Sequence, residues 1–396
     1  MNLKAPAEKQ RLGPSRPKGA VDERAATEGR VKARYEALDG LRGVAALAVL
    51  LFHVSGPFGG MAAPRGYLAV DFFFALSGFV IAAAYGDRLS SGGWFLPFLG
   101  KRFVRLWPLI GLGTVLGLAA FLWKWRLAGE PPLSALALVF VAALLVIPTA
   151  IFNNTFPYNS GEWTLFYELL VNVIYGRAAR FITTARLLVF TAVAAVALVA
   201  VTVHYHSPFG GGLVLSEWPS GLARALFSFS AGLVVCRFRP RIRIPTFAAA
   251  GGMVAIFSIP LSATATWAVD LPAILLAFPL IIAGAANADG DPLSRLAGRL
   301  SYPLYAIHIP IVSTFSLFLQ SRRLSGVPFW LWIGVEIGVT LALAFAAMVA
   351  DERLRTRLGP SAGATTCSAA CCRRSMGWGP RPCASRNCWR GHPTAR

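Results

Sequence analysis

The sequence predicts an all-α fold: a polytopic integral membrane helix bundle with about ten transmembrane helices. Three observations predict it. Of 396 residues, 56% are hydrophobic and only 14% charged, with mean hydropathy +0.58, whereas soluble domains carry about 25% charged residues. Apolar runs near the ~20 residues needed to cross ~30 Å of hydrocarbon recur along the chain. Between the runs lie short clusters of Lys and Arg, the pattern by which membrane proteins set their orientation.

In chain order, residues 1–34 read as a basic, disordered cytoplasmic tail. Eleven apolar windows follow, at 38–54, 66–86, 104–123, 133–151, 162–176, 187–203, 221–236, 246–260, 267–286, 301–319 and 327–350. The first lies behind a long polar segment, so it reads as a first span and not as a cleaved export signal. Basic clusters at Lys101/Arg102/Arg105, Arg177/Arg180/Arg186, Arg237/Arg239/Arg241/Arg243, Arg295/Arg299 and Arg353/Arg355/Arg357 should share one side. Three windows separate Arg105 from Arg177, which breaks that alternation. One of them must fail to cross. The segment 162–176, short and carrying Glu162, Glu168 and Asn172, is the expected exception, a re-entrant or tilted element. Ten crossings remain, with both termini cytoplasmic.

The formal net charge is +20, of which the two tails supply +11. The rest sits mainly in short loops, and no basic patch interleaved with aromatics marks a soluble domain, so nucleic acid is excluded as a partner. Residues 359–396 read as a disordered Cys/Arg-rich tail. Its Cys383, Cys388 and His392 lack the paired C-x2-C knuckles of a zinc site, so no metal is expected.

Charged groups at membrane depth cost at least ~2.5 kcal/mol each, so those retained usually face a cavity. Arg42 and His53 are eleven residues apart, a rotation of ~1100° that brings them within ~20° of one helical face. Asp39 precedes Arg42 by three residues and can pair with it. Arg42 and His53 stand roughly 16 Å apart along the axis. They cannot touch one reacting carbon, but they can touch one long substrate. Asp71 lies in an aromatic run beside Ser77 and Gly78, which suit close helix packing. Glu168, Asn172 and Tyr175 form a polar stripe, and Ser301, Tyr305 and His308 align at i, i+4 and i+7. His308 fits a buried structural histidine as well as a catalytic one. Glu336 has no partner that spacing identifies.

In their order these segments resemble membrane acyltransferase family 3, whose members O-acylate surface polysaccharides, nodulation factors and macrolides. The resemblance runs from Tyr35 to Leu358. It rests on Leu38-Asp39-Gly40-Leu41-Arg42-Gly43 with His53, the Asp71 to Phe79 block, Arg102-x-x-Arg105-x-x-Pro108, Trp163-x4-Glu168, and Ser301-Tyr302-x-Leu304-Tyr305-x-x-His308. It implies acyl-CoA as a cytoplasmic donor and importance for Arg42, His53, Arg102 and Arg105. The chain is therefore expected to be an O-acyltransferase of the inner (plasma) membrane, moving an acyl group, acetyl in the first instance, from acyl-CoA to a hydroxyl of a carbohydrate or glycosylated acceptor. His53, Arg42, Asp39, Glu168 and His308 are the candidate catalytic residues; Arg102 and Arg105 would hold the donor. The rival is a transporter or flippase of a polar lipid or glycan. The absence of an internal repeat speaks against it.

Overall fold

A computed structural model describes residues 35–55, 62–126, 133–152, 154–205, 213–261, 266–322 and 329–358. The basic N-terminal tail and the Cys/Arg-rich tail, with Cys367, Cys371, Cys372, Cys383, Cys388 and His392, lie outside the described residues.

The described residues form eleven helices and no strand. They are α1 (Glu36–Ser55), α2 (Ala69–Ser90), α3 (Phe95–Arg126), α4 (Leu133–Leu144), α5 (Glu162–Ala178), α6 (Thr184–Tyr205), α7 (Trp218–Phe238), α8 (Thr246–Ser258), α9 (Thr266–Ala285), α10 (Pro292–Arg322) and α11 (Phe329–Leu358). Helix α9 carries a π turn at Ala273–Ala277, directly after Pro272. Pro272 cannot donate the hydrogen bond of a regular turn. Asp291 caps α10, accepting from the Ser294 N–H at 2.9 Å, with Pro292 in the first helical position, where its missing donor costs nothing. Residues 353–396 form a separate unit, described only as far as the end of α11.

Among the described residues eight helices are long and apolar enough to cross a membrane: α1, α2, α3, α6, α7, α9, α10 and α11. Helix α8 has only 13 residues, yet it runs from one face to the other. Thr246 at its start bonds Asp289 beyond the end of α9, and Phe257 at its end accepts the Arg65 N–H before α2.

The exceptional element is not the one that polarity picks out. Helix α5 runs antiparallel to α3: Glu162 meets Thr114, and Arg177 lies over the Phe95 ring at 4.4 Å. It therefore reaches the face where α3 begins. Helix α4, by contrast, has 12 residues, about 18 Å of rise, and the chain then turns back. The Tyr158 hydroxyl donates to the Leu136 carbonyl near the start of α4 at 2.8 Å, and Thr155 pairs with Leu213 just before α7. The window 133–151 enters and returns, while 162–176 traverses. Among the described residues ten helices thus run from one face of the bundle to the other, eight of them long and apolar enough to be spans.

Two parallel helix pairs organise the bundle, each through small residues that bring backbones together. In α1 and α10, Gly40 faces Ser294, Gly43 faces Ala297, and Gly298 faces Asp39, with no room for a Cβ at any of the three glycines. In α2 and α7, Gly78 sits on the Phe229 carbonyl and Gly232 on the Ala75 carbonyl. A central apolar cluster of Leu38, Leu41, Phe72, Leu76, Phe227, Met253, Phe257, Phe278 and Ile282 joins α1, α2, α7, α8 and α9.

A buried layer of charge ties this centre together. Asp71 accepts a forked pair of bonds from Arg224, through Nε at 3.1 Å and Nη2 at 2.6 Å, and both side chains are 1% exposed or less. Arg224 Nη2 also donates to the Tyr67 carbonyl at 3.0 Å, and the Tyr67 hydroxyl donates to Asp270 at 2.6 Å. Asp270 in turn pairs with Arg65, whose remaining donors close on the Ile259, Pro260 and Thr266 carbonyls. A buried guanidinium is tolerated when carboxylate and carbonyl acceptors surround it in this way.

Candidate active site

Polar groups gather at two levels along α1. The lower level lies in the half of the membrane where α1 begins. Arg42 pairs with Asp39 at 3.0 Å. Across from it, Arg102 of α3 pairs with Glu168 of α5, and Ser77 of α2 links the two: its hydroxyl donates to Glu168 Oε1 at 3.0 Å and accepts from Arg102 Nη2 at 3.4 Å. Charges couple the two pairs, because Arg42 acts on both Asp39 and Glu168 and is repelled by Arg102. Arg105 is exposed, and its charge also reaches Asp39. The level is only partly covered: Asp39 is 44% and Arg42 25% exposed. Arg102 Nε is buried without an acceptor among the described residues.

The upper level is built around two histidines. The register fixed by the α1/α10 glycines carries His53 and His308 to the same height, with ring centroids 5.2 Å apart. His308 Nδ1 lies 2.7 Å from the Tyr305 carbonyl oxygen. A carbonyl can only accept, so Nδ1 carries the proton and Nε2 keeps its lone pair. That Nε2 is buried and has no partner among the described residues. His53 is half-buried.

The N-terminus of α5 closes the site. The Thr164 and Tyr305 hydroxyls lie 2.5 Å apart in a shared hydrogen bond, and both reach the Gly161 carbonyl, at 2.9 and 3.4 Å. Gly161 itself lies beside His308 Cε1. Next to it, Glu162 Oε1 is 2.9 Å from Thr114 Oγ1, and Thr114 is also 2.9 Å from the Ile110 carbonyl. One hydroxyl proton cannot serve both acceptors. If it goes to Ile110, the Glu162 carboxyl is the donor to Thr114. Phe73 packs edge-on against Tyr305 at 5.6 Å.

The structure therefore brings together His53 with His308, Arg42 with Asp39, and Arg102 with Glu168. It places Glu168 in the lower level, engaged with Arg102 and Ser77 and making no contact with the histidines that any hydrogen bond records. Of the aligned trio on α10, Ser301 turns back onto the Gly298 carbonyl at 2.7 Å. Asn172 is fully buried with neither side-chain atom partnered among the described residues, and Tyr175 packs on Phe229, so the α5 stripe does not continue into the site. Asp71 belongs to the buried charge layer. Sequence reasoning missed Thr114, Thr164 and the Arg224, Arg65 and Asp270 layer. For Arg224 and Asp270 the signal was present, as charges inside apolar windows. Among the described residues no three His, Cys, Asp or Glu side chains cluster as a metal site would require.

Comparison with known proteins identifies the family. An acyltransferase domain model matches residues 35–349, which takes in α1 through most of α11 and both polar levels. The protein described as protein 2 in the picA locus of Rhizobium radiobacter is 39% identical over 186 residues, covering 43% of this chain and 96% of that protein. No solved structure matches the chain. A bundle of this kind, matched by the acyltransferase domain over nearly all its described helices, belongs to membrane acyltransferase family 3 and is an acyltransferase.

Proposed function

We propose that the protein is an O-acyltransferase that takes an acyl group, acetyl in the first instance, from acyl-CoA and passes it to a hydroxyl of a carbohydrate or glycosylated acceptor, in the plasma membrane with both termini cytoplasmic. The observation that carries the reading is the His308 tautomer: a buried imidazole nitrogen, held bare by a backbone hydrogen bond, next to a second and more accessible imidazole. An alcohol is a weak nucleophile at neutral pH, and a positioned base adds typically ~10² to 10⁴-fold.

In the transfer, the acceptor oxygen bonds to the acyl carbon as the carbon–sulfur bond breaks. The hydroxyl proton goes to the histidine pair, with His308 Nε2 as its sink, and returns to the departing thiolate. His53, reachable from the open side, contacts the reacting groups directly as base or transient acyl acceptor. The Tyr305 to Thr164 bond holds α10 against α5, so the His308 ring keeps its place.

The donor fits the lower level. Arg102 retains an unused buried donor at Nε, Arg42 is partly exposed, and Arg105 is exposed, so these three would take the phosphates. Asp39 and Glu168 orient Arg42 and Arg102. The ~16 Å from Arg42 to His53 is then the reach of the pantetheine arm.

The test is transfer from labelled acetyl-CoA in membranes, normalised to protein level. His53→Ala and His308→Ala should each lower transfer ~10² to 10⁴-fold with donor binding retained, whereas Arg102→Lys should chiefly raise the donor KM. Near-normal transfer by both histidine variants would refute the assignment.

A further inference from the structure

The segment that joins α7 to α8 alternates basic and apolar residues: Arg237, Phe238, Arg239, Pro240, Arg241, Ile242, Arg243, Ile244. Arg239 leaves α7 in a left-handed conformation, φ 43°, and residues 240–245 run on outside any helix across the end of α9. The backbone of this strap is fixed. Asn287 Nδ2 donates to the Pro240 and Ile242 carbonyls, both at 2.9 Å, and the Ile244 N–H donates to the Gly284 carbonyl at 3.2 Å. The Ile244 side chain lies directly on Gly284, where a Cβ would find no space. The strap therefore holds its arginines at the membrane face where α1 begins, beside a small open groove that Arg239, Tyr35 and Asn287 help to line.

Seven cations elsewhere on this face have partners within the protein. Arg295 pairs with Glu36, Arg299 with Glu352 and Arg243 with Asp289. Arg88 and Lys101 lie over Trp94, Arg177 over Phe95 and Arg180 over Phe181. Arg239 and Arg241 differ. Both are exposed, and neither meets a carboxylate or a ring among the described residues; Arg239 makes one bond, from Nε to the Cys236 carbonyl at 3.3 Å. Between and beside them Phe238, Ile242 and Phe247 are 56%, 45% and 80% exposed. At the end of a span, apolar side chains of this kind enter the acyl region while guanidinium groups stay at headgroup level.

We propose that this strap is a binding site for an anionic glycerophospholipid, with the headgroup phosphate on Arg239 and Arg241 and the acyl chains against Phe238, Ile242 and Phe247. Two uncompensated guanidinium groups call for negative charge, and the exposed apolar groups call for a ligand that also has a tail. A phosphate alone satisfies only the first. The site is separate from the two levels along α1 and requires only that the protein is embedded in a bilayer.

The test uses the full chain purified in detergent and exposed to phosphatidylglycerol or phosphatidylcholine, with retained lipid counted by native mass spectrometry. Phosphatidylglycerol should be preferred by roughly 25-fold, the product of ~5-fold per arginine, which is about 1 kcal/mol for each charge contact. The double variant Arg239→Gln, Arg241→Gln should lose that preference, while Arg295→Gln, which removes a cation already paired with Glu36, should keep it. The Asn287 and Ile244 anchors are untouched, and an unchanged thermal midpoint confirms the fold. Equal retention of both lipids by the native chain, full preference in the double variant, or displacement of the lipid by glycerol phosphate at equal concentration would each overturn the proposal.

Discussion

Removing one partner of the Asp71–Arg224 pair tests whether the buried charge layer holds the bundle together. Both groups are 1% exposed or less, and the carboxylate takes bonds from two nitrogens of the guanidinium. In Asp71→Leu the arginine keeps the Tyr67 carbonyl at 3.0 Å and the Trp163 face at 5.6 Å, but no anion balances it at that position. An uncompensated buried charge costs about 3–5 kcal/mol. Arg224→Met strands Asp71 in the same way. The double variant Asp71→Leu, Arg224→Met removes both charges and fills similar volume, so it should recover most of the loss. At roughly 2–4 °C per kcal/mol, each single variant should lower the thermal midpoint by roughly 6–20 °C. Tryptophan fluorescence in detergent is the natural assay, because Trp163 stacks over Arg224. The double-mutant cycle then gives a coupling energy, expected to be favourable by at least about 3 kcal/mol because the two single losses sum to about 6–10 kcal/mol and the double variant recovers most of them. If the double variant loses as much as the two singles added together, the residues do not act as a pair, and the structural role assigned to Asp71 is wrong.

Three further outcomes follow from the same geometry. Glu162→Gln should retain activity and lie within about 1 kcal/mol of the native stability, because an amide donates to Thr114 as a neutral carboxyl does, while Glu162→Ala should lose about 1–3 kcal/mol through the unsatisfied site it leaves; an amide variant as damaged as the alanine would show that the carboxylate is ionised. Gly232→Val puts a side chain against the Ala75 carbonyl, so it should cost at least about 1–3 kcal/mol and reduce the monodisperse fraction in size-exclusion chromatography; a normal elution profile and midpoint would show that α2 and α7 can separate freely. Glu352→Gln removes the carboxylate charge facing Arg299, but those side chains are 42% and 54% exposed, so the midpoint should shift by no more than about 1 kcal/mol allows. A large loss there would mean that the pair is shielded from water.

The long helices were legible because apolar length and helical period are local properties. The Asp39 to Arg42 pair was legible for the same reason, since its spacing is three residues on one helix. Charge alternation also showed that one of three windows between Arg105 and Arg177 fails to cross. It could not say which. Polarity pointed to 162–176, whereas the return of Tyr158 to Leu136 depends on how the chain packs against α3 and α4. The buried layer illustrates the same limit. Asp71 stood out as a charge without an explanation, but Arg224 lies 153 residues away and no spacing rule connects them. His53 and His308 were each visible as polar residues on apolar helices, and the resemblance named both segments. Their meeting depends on the parallel register of α1 and α10, and the bare nitrogen of His308 depends on a bond to its own backbone, which only coordinates reveal.

The glycine seam between α1 and α10 works as a fulcrum. Gly43 and Gly298, with no room for a Cβ, lie ten residues before His53 and His308 respectively, a lever arm of about 15 Å. A splay of about 4° at the seam therefore swings an imidazole by about 1 Å, a displacement that can cost ~10²-fold in rate. The smallest side chains in the pair, well removed from any reacting atom, set the tolerance of the chemistry above them.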